Sequence, residues 1–475
     1  MSAPDSALAD ARPRPLWLDA LGELPARTTL GDGRAAVRAR DAGSDVDVAI
    51  VGGGFSGLWT AYHLAVLDPS KRITVFERHH VGFGASGRNG GWAVGELAGS
   101  VATYTARSSP QEALRLERAV MASVDEIGQI ADAERIDCGF AAGGSVRLAR
   151  TPPQRRRQLD EVAAMRSLGH GEDVIRLLDA DEARSHLAAT NVLGGVWFAP
   201  CAALDPGRLV TGLARACEAR GVVIREGTDV RDVTAGGVET SHGTIRAETS
   251  VLATEAYTRD LPGRRRDLLP VYSYMIATEP LPASTWREIG LAGRPTFADD
   301  RTMVIYGQRT ADDRLAFGAT GVPYLFGSRI DHRVEFGRRS AEHVHRILVD
   351  LLPQLAGARI THRWGGVLGI PRNWAPSIRF DRTMRQGVLG GYVGEGVAAA
   401  QLAGRTMAEL VLGHDTVRTT LPWVDLHTRR WEPEPLRWIG VRASRSILAA
   451  ADRREARTGR EARWSTGLAR LLRGD

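Results

Sequence analysis

The sequence predicts an α/β fold in which a parallel sheet with helices on its faces is interleaved with an antiparallel-sheet region of α+β type. An apolar segment at 46–51 is followed by a glycine turn, an apolar helix beginning near Ser56, and a short β-branched strand at 73–77. Such a strand–helix–strand unit implies a parallel sheet. Short strand patterns then alternate through 222–254 and 269–320, which is typical of antiparallel sheets.

The glycine turn has the spacing of a dinucleotide-binding motif, Gly52-x-Gly54-x-x-Gly57. The first glycine permits the tight turn, the second lets the backbone approach a diphosphate, and the third lets helix and strand pack closely. A diphosphate would lie at the helix N-terminus, where the dipole favours negative charge. Glu77 closes the second strand 20 residues after Gly57, where an acid should accept hydrogen bonds from a ribose. The unit therefore predicts a dinucleotide site, and Glu77 argues against a 2′-phosphate.

The 475 residues are enough for two or three domains with sizeable cores. We predict an irregular N-terminal arm anchored by Trp17 and Leu18, a discontinuous nucleotide-binding domain, an interleaved substrate domain and a basic helical tail. The arm is predicted at 1–44 and the tail at 416–475. The nucleotide-binding domain is predicted at 45–139, 201–265 and 359–415, and the substrate domain at 140–200 and 266–358.

A second glycine-rich segment, GFGASGRNGG, follows at 82–91. So permissive a backbone suits close contact with a flat ring system, and Ser86 and Asn89 can donate or accept hydrogen bonds there. Taken alone, the segment is more typical of a flexible surface loop. Its meaning depends on the rest of the sequence.

Several segments together resemble one known family. They are WLDALGELP, VDVAIVGGGFSGLWTAYHL, GFGASGRNGG, SVLATEAYT, LPVYSYMIATEPL, RWGG and GGYVGEGVAAAQLAGRTMAELVLG. The sequence resembles the FAD-dependent glycine/D-amino acid oxidase superfamily, in particular its gamma-glutamylputrescine oxidase-like branch. The resemblance implies a Rossmann-like FAD-binding domain and oxidation of the C–N bond of an amine or amino acid (polyamine-derived, N-methyl or D-amino acid type) to an imine.

The resemblance also implies which residues contact FAD. Those near the diphosphate and the adenosine are Gly52, Gly54, Phe55, Ser56, Gly57, Glu77, Arg78, Val230, Ala253 and Thr254. Those along the flavin are Gly84, Ala85, Ser86, Arg88, Asn89, Gly90, Gly91, Gly391, Gly394, Glu395, Gly396 and Val397. Some relatives tether the flavin through a cysteine near the C-terminal motif. No cysteine follows Cys217 here, so non-covalent FAD is expected.

Two departures from the family pattern bear on the chemistry. The family's last loop often has a histidine where this chain has Glu395, and some relatives activate oxygen with a lysine over the flavin. The only lysine here, Lys71, lies in a polar loop between helix and strand. The acceptor of electrons is therefore either oxygen, with an Arg or an ordered water in place of the lysine, or a dye- or quinone-like carrier.

Three residues are candidates for contact with a small-molecule amine: Trp364, Glu395 and Tyr274. Glu395 would pair with an ammonium group, or it would face a water-filled mouth. Alternation in the strand that contains Tyr274 places Tyr272 on the same face. These tyrosines, Trp92 and Tyr306 are more typical of a core or sheet face, whereas Trp364, just before Gly365-Gly366, is equally typical of either position.

Composition excludes several other classes. No membrane span is expected, because no run of 18 apolar residues is present. The N-terminus lacks a secretory signal pattern, so a cytoplasmic protein is expected. Three cysteines without a CxxC pair make a disulfide framework improbable. His79, His80, His343 and His345 have no acidic partner at ligand spacing, so no metal site is predicted.

The net charge of +6 comes from the C-terminus, because residues 429–475 hold 12 arginines against 6 acids. We expect this tail to form a helix packed on the body, with an anionic partner or a lipid surface as the alternative. Nucleic-acid binding would rest on this tail alone and is not expected. Two further functions stay open, a flavin monooxygenase and a non-catalytic flavin- or nucleic-acid-binding protein, and the sequence leaves the oligomeric state open.

Overall fold

A computed structural model of the chain describes residues 7–22, 46–320 and 324–462. Its main α-helices are α1 (Leu16–Asp19), α2 (Phe55–Leu67), α3 (Val101–Thr105), α4 (Pro110–Ala133), α5 (Pro152–Ser167), α6 (Ala180–His186), α7 (Pro206–Glu218), α8 (Ala283–Ile289), α9 (Arg338–Leu351), α10 (Gly396–Leu412) and α11 (Leu436–Thr458). Its strands are β1 (Val46–Val51), β2 (Ile73–Phe76), β3 (Trp92–Val94), β4 (Ser145–Ala149), β5 (Ile175–Leu178), β6 (Gly194–Phe198), β7 (Cys201–Ala203), β8 (Val223–Arg225), β9 (Val230–Thr234), β10 (Gly237–Thr240), β11 (Gly243–Leu252), β12 (Leu269–Thr278), β13 (Thr296–Asp299), β14 (Ile305–Arg309), β15 (Leu315–Thr320), β16 (Ile360–Ile370), β17 (Ser377–Asp381) and β18 (Gln386–Gly390).

The first sheet has the strand order β17-β18-β11-β1-β2-β8, and β9 and β10 extend it as a hairpin on β11. The pairs of β1 with β2 and β11, of β2 with β8, and of β11 with β18 are parallel. Helices α2, α4, α7 and α10 share one hydrophobic core with this sheet. The α/β prediction is confirmed.

The second sheet has the order β16-β12-β15-β14-β13-β4-β6-β5. Its neighbouring strands are antiparallel except for β13 and β4, which are parallel. Helix α9 packs on one face and forms a second hydrophobic core with it. The strands of this sheet come from the predicted substrate domain and from one further segment.

That further segment is β16, which the sequence analysis placed in the nucleotide-binding domain. It pairs with β12 through ten residue pairs, from Leu269 opposite Ile370 to Thr278 opposite Ile360. The predicted boundary at 359 is therefore too early, and the chain returns to the first sheet only at Ser377. The RWGG segment, a feature of the family resemblance, lies in the substrate sheet.

Local sequence sets the starts of the longer helices. Ser109, Thr151 and Asp205 each accept a hydrogen bond from a backbone N–H of the first helical turn, and a proline follows each of them. A side-chain oxygen at this position satisfies an N–H group that has no partner within the helix, and proline at the first position lacks that N–H.

The two ends of the chain pack on the body. In the arm, Trp17 is 2% exposed and its Nε1 donates to the carbonyl of Asn89 at 2.8 Å, while residues 1–6 and 23–44 lie outside the described residues. In the tail, Trp423 and Trp431 are buried and α11 is helical as expected, while 463–475 lie outside the described residues. Among the described residues, no helix is both long and apolar enough to cross a membrane.

Candidate cofactor and active site

A cavity of about 1170 Å³, including its open mouth, lies at the carboxyl ends of β1, β2 and β11. This is the edge at which parallel α/β sheets bind nucleotides. Most of the predicted cofactor residues line it: Gly52, Gly54, Phe55, Ser56, Glu77, Arg78, Gly84, Ala85, Ser86, Asn89, Val230, Ala253, Thr254, Gly394, Gly396 and Val397. The other predicted contacts, Gly57, Arg88, Gly90, Gly91, Gly391 and Glu395, do not line it.

The glycine turn is in backbone contact with the end of β11. Gly52 has φ +112°, and a Cβ built on it would lie 2.5 Å from the carbonyl oxygen of Ala253. A Cβ on Gly57 would collide with the Gly52 carbonyl and approach Ile50. Gly57 therefore serves helix–strand packing, as the motif predicts, rather than facing the cavity.

Gly54 leaves room for Ser86. The Ser86 Oγ accepts a hydrogen bond from the N–H of Phe55 at 2.9 Å, and a Cβ on Gly54 would lie 2.8 Å from that oxygen. The hydroxyl of Ser56 bonds the hydroxyl of Tyr392 at 2.9 Å. The start of α2 is thus joined to the segment 82–91 and to the turn before α10. One N–H group at this helix start, that of Phe55, already has a partner.

Glu77 is fixed by the backbone around it. Its Oε2 accepts from the N–H of Gly53 at 2.8 Å and its Oε1 from the N–H of His79 at 2.9 Å. Burial raises the pKa of Glu77, and these two N–H donors oppose that rise. Next to it, Arg78 forms ion pairs with Asp229 and Asp260. A carboxylate held this way at the end of β2 can accept hydrogen bonds from a ribose.

The segment 82–91 is ordered by Asn89. Its Nδ2 donates to the carbonyls of Ala85 and Ser86 at 3.1 and 2.9 Å, and its Oδ1 accepts from the N–H of Gly91 at 2.8 Å. These bonds exclude the flexible-loop interpretation. A Cβ on Gly90 would lie 2.7 Å from the ring of Tyr306, so this glycine allows the second sheet to approach.

Arg88 points away from the cavity. Its guanidinium pairs with Glu335, whose side chain is 0% exposed, and its carbonyl accepts from Nε1 of Trp364 at 2.9 Å. The guanidinium also lies 4.6 Å from the ring centroid of Phe83. Arg88 therefore joins the segment 82–91 to β16 and to the segment that carries Glu335, and its position along the flavin stays a prediction.

Trp364 and Tyr274 have almost no solvent-exposed surface. Trp364 is 0% exposed, and Tyr274 is 3% exposed and donates to the carbonyl of Val334 on the helix-covered face of the sheet. A side chain that touches substrate must have surface in the cavity, so the catalytic role predicted for these two residues is not supported by their positions.

Two of the other aromatic candidates are partly exposed, although neither lines the cavity. Tyr306 and Trp92 are half-buried, and their rings meet edge to face with centroids 6.2 Å apart. The Tyr306 hydroxyl bonds Ser273 at 2.8 Å, on the sheet face opposite Tyr274. Sequence alternation separated the two faces correctly but could not say which of them faces the cofactor loop.

Glu395 is half-buried and lies just before α10, between two residues that line the cavity. Its carboxyl makes no hydrogen bond and no ion pair with any described residue. Burial and then the nearby carboxylate of Glu96 raise the pKa of Glu395 to about 8, while Arg147 opposes this rise.

The sequence analysis missed Glu255, which lines the cavity directly after the predicted contacts Ala253 and Thr254. Burial raises its pKa to about 8, and the N–H groups of Gly369, Gly391 and Tyr392 oppose this by stabilising the carboxylate. Its Oε2 has no partner at good hydrogen-bond geometry. Glu255 has a left-handed φ of +45°, which no sequence pattern signals here. One carboxyl thus gathers β16 and the turn before α10 around the cavity.

A family model described as FAD dependent oxidoreductase matches residues 47–410. The chain belongs to this family. It is 30% identical over 382 residues to a probable oxidoreductase OrdL of Haemophilus influenzae, covering 78% of this chain and 83% of the relative. It is 29% identical over 377 residues to the gamma-glutamylputrescine oxidoreductase of Escherichia coli, covering 77% and 84%.

The fold of this FAD-dependent oxidoreductase is also that of a solved structure. The glycine oxidase of Geobacillus kaustophilus superposes with a TM-score of 0.64 at 23% identity, covering 78% of this chain and 96% of that one. The cavity fits FAD, since a bare glycine turn and a fixed acid lie at the ends of adjacent parallel strands. No group of three His, Cys, Asp or Glu side chains among the described residues is placed to hold a metal ion.

Gly54→Val is expected to yield protein without FAD. The branched side chain would displace Ser86 and fill the space that a diphosphate needs. The matched control is Gly357→Val, because Gly357 has no atom within 4 Å of a built Cβ and no left-handed φ. Absorbance at the flavin band after purification measures the FAD content. Full FAD in Gly54→Val would show that the turn is not the cofactor site.

Glu255→Ala is expected to destabilise the FAD-loaded protein by about 1–3 kcal/mol, because buried N–H groups lose their acceptor. Glu255→Gln keeps an oxygen acceptor and should stay close to the wild type at pH 7, where a carboxyl with a pKa of about 8 is mostly neutral. Urea unfolding with FAD retention is the measurement, and the exposed Glu248→Ala is the control. Equal stability of all three variants would remove Glu255 from this role.

Proposed function

We propose that this FAD-dependent oxidoreductase oxidises the C–N bond of a cationic amine to an imine, which water then hydrolyses to a carbonyl compound and an amine. FAD, when bound, accepts the two electrons that the substrate loses. The observation that carries the proposal is the unpaired carboxyl of Glu395 at the edge of the FAD cavity. The name of the related gamma-glutamylputrescine oxidoreductase supports an amine as the class of substrate.

The cofactor contacts that we propose follow from the cavity. Gly52, Gly54 and Ser56 would face the diphosphate, and Glu77 the adenosine ribose. The turn at Gly394–Gly396 would lie against the flavin, where the start of α10 stabilises negative charge. We propose non-covalent binding, since Cys138, Cys201 and Cys217 are each at most 1% exposed and have no surface in the cavity.

An excess of negative charge surrounds Glu395. Glu96, like Glu395, forms no hydrogen bond or ion pair with a described residue, and burial raises its pKa while Arg147 opposes the rise. Arg147 is itself engaged by Glu161 at 2.5 Å and by Asp300 at 3.6 Å. Two half-buried carboxyls without an ion-pair partner among the described residues are costly, and a bound ammonium ion would compensate for them.

Aromatic side chains flank the same region. Burial raises the pKa of Tyr306 to about 12, and the nearby carboxylate of Glu395 contributes to this rise. The edge-to-face pair of Tyr306 and Trp92 supplies ring surface on which a cation is attracted. Carboxylates and aromatic rings together are the groups that recognise an alkyl ammonium ion.

A second cavity is lined in part by Glu96, the carboxylate that acts on Glu395. Its volume is about 830 Å³, and apolar side chains of α4 and α5, among them Met121 and Met165, line it together with Glu161. Apolar walls suit methylene groups, whereas the acids suit a second positive charge. We therefore propose a substrate with an alkyl chain and a distal cationic group.

Glu395→Gln is expected to lower kcat/KM for such an amine by about 10- to 100-fold, as for the loss of a charge-assisted contact of about 1.5–3 kcal/mol. FAD content and binding of a neutral analogue should stay unchanged. Glu239→Gln, at an exposed position, is the matched control. Wild-type kcat/KM in Glu395→Gln with FAD intact would place Glu395 outside the substrate site.

The same contact predicts a pH dependence that a permanently charged inhibitor can isolate. An alkyltrimethylammonium ion does not titrate, whereas Glu395 is mostly neutral below its pKa of about 8 and ionised above it. Inhibition should therefore tighten as the pH rises through about 8 in the wild type and much less so in Glu395→Gln. Equal pH profiles for both proteins would contradict the ion pair.

We propose that the electron acceptor is a dye- or quinone-like carrier rather than oxygen. Lys71, the only lysine of the chain, precedes β2 and so lies at the edge of the sheet opposite the cavity. No lysine is thus available over the flavin. Reoxidation of the reduced protein should be slower with air than with a phenazine dye, and stopped-flow mixing measures both rates. An equal or faster rate with air would contradict this proposal.

A further inference from the structure

The outer face of α11 and the neighbouring Phe326 expose large apolar side chains. Leu436 is 64% exposed, Ile439 is 53% exposed and Phe326 is 59% exposed. The ring of Phe326 meets that of Trp438 edge to face at 6.4 Å, so the three residues belong to one region of the surface. We call Phe326, Leu436 and Ile439 the apolar edge.

Most of the positive charge of α11 has no ion-pair partner among the described residues. The helix contains six arginines and two acids. Asp452 accepts from the N–H groups of Thr302 and Met303, and Glu455 pairs with Arg157 of α5, so both acids are used in contacts with the body. Of the arginines, only Arg437 has an ion-pair partner among the described residues.

Three of the unpaired arginines lie together. Arg442, Arg445 and Arg453 line a cleft of about 600 Å³ with Tyr324 and Ser446. Burial lowers the pKa of Arg445, and the nearby guanidinium of Arg442 lowers it further. The like charges of these arginines repel each other, and an anion bound in the cleft would relieve this repulsion. The shape and the donors of the cleft suit a phosphate group.

We propose that the apolar edge and the arginine cleft together bind the surface of a bilayer that contains anionic phospholipids. Exposed apolar groups flanked by arginines are the features by which an amphipathic helix lies in the headgroup region. Each arginine near such a surface is attracted to it, and the apolar side chains reach the acyl boundary. A nucleic acid would engage the arginines but would leave the apolar edge in water, so the membrane fits both observations.

This surface lies beside the cofactor site. Trp438 and Val441 of α11 pack on a cluster that includes Trp431 and Ile370, and Val393 of the turn before α10 packs on the same cluster. A bilayer bound at α11 would thus be close to the turn that we place against the flavin. The inference stands on the surface alone and does not depend on which substrate is oxidised.

The test is sedimentation of the full-length, FAD-loaded protein with vesicles. Binding to vesicles of mixed phosphatidylcholine and phosphatidylglycerol is expected, with little binding to pure phosphatidylcholine and a decrease as salt is added. The double variants Leu436→Asp/Ile439→Asp and Arg442→Glu/Arg445→Glu should each weaken binding by about tenfold or more. FAD content and turnover of free amine should not change in either.

The control variants change exposed residues that lie outside α11. Leu159→Asp changes an exposed leucine of α5, and Arg382→Glu an exposed arginine of a turn, and both should bind vesicles like the wild type. Equal binding to both vesicle types, binding of inorganic phosphate without vesicle binding, or retention on DNA without vesicle binding would each overturn the proposal. Because the readout is not catalysis, its failure leaves the proposed function untouched.

Discussion

The backbone contact between the glycine turn and the end of β11 is the constraint on which the cofactor site depends. Gly52 donates its N–H to Phe76 at 2.8 Å, and Ala253 donates to Val51 at 2.9 Å, so the turn is bonded to both neighbouring strands. No side chain fits between Gly52 and Ala253. This closeness leaves the backbone bare at the carboxyl edge of the sheet, where a dinucleotide can approach it.

Side-chain contacts hold other segments of the cavity around this turn. Glu255 holds the turn before α10 and the end of β16 at the cavity, while Asn89 orders the other glycine-rich segment. We propose that Tyr306 from β14 and the acids Glu395 and Glu96 complete the substrate side. Backbone groups dominate the cofactor side, whereas the proposed substrate side consists of side chains, whose charge would select the substrate.

The sequence was sufficient for the parts that follow from local rules. The glycine spacing and the period-two and helical patterns predicted the α/β fold, and motif order predicted that Glu77 ends β2 in the cavity. It was not sufficient where long-range pairing decides. Trp364 was predicted near the substrate because it precedes Gly365-Gly366, and the sequence did not show that β16 pairs with β12. For Tyr274, alternation does not reveal which sheet face a helix covers. Glu255 had no signal, since its left-handed backbone and its N–H partners come from distant segments.

Anaerobic titration of the FAD-loaded protein with amines, followed at the flavin absorbance band, tests the central claim most directly. A panel of diamines and polyamines, γ-glutamylated amines, and N-methyl and D-amino acids covers the substrate class, with a 2-hydroxy acid as the chemical control. The account predicts that a cationic amine with an alkyl chain bleaches the band and that the 2-hydroxy acid does not. A flavin that keeps its full absorbance with every amine, or that is bleached by the hydroxy acid instead, would contradict it.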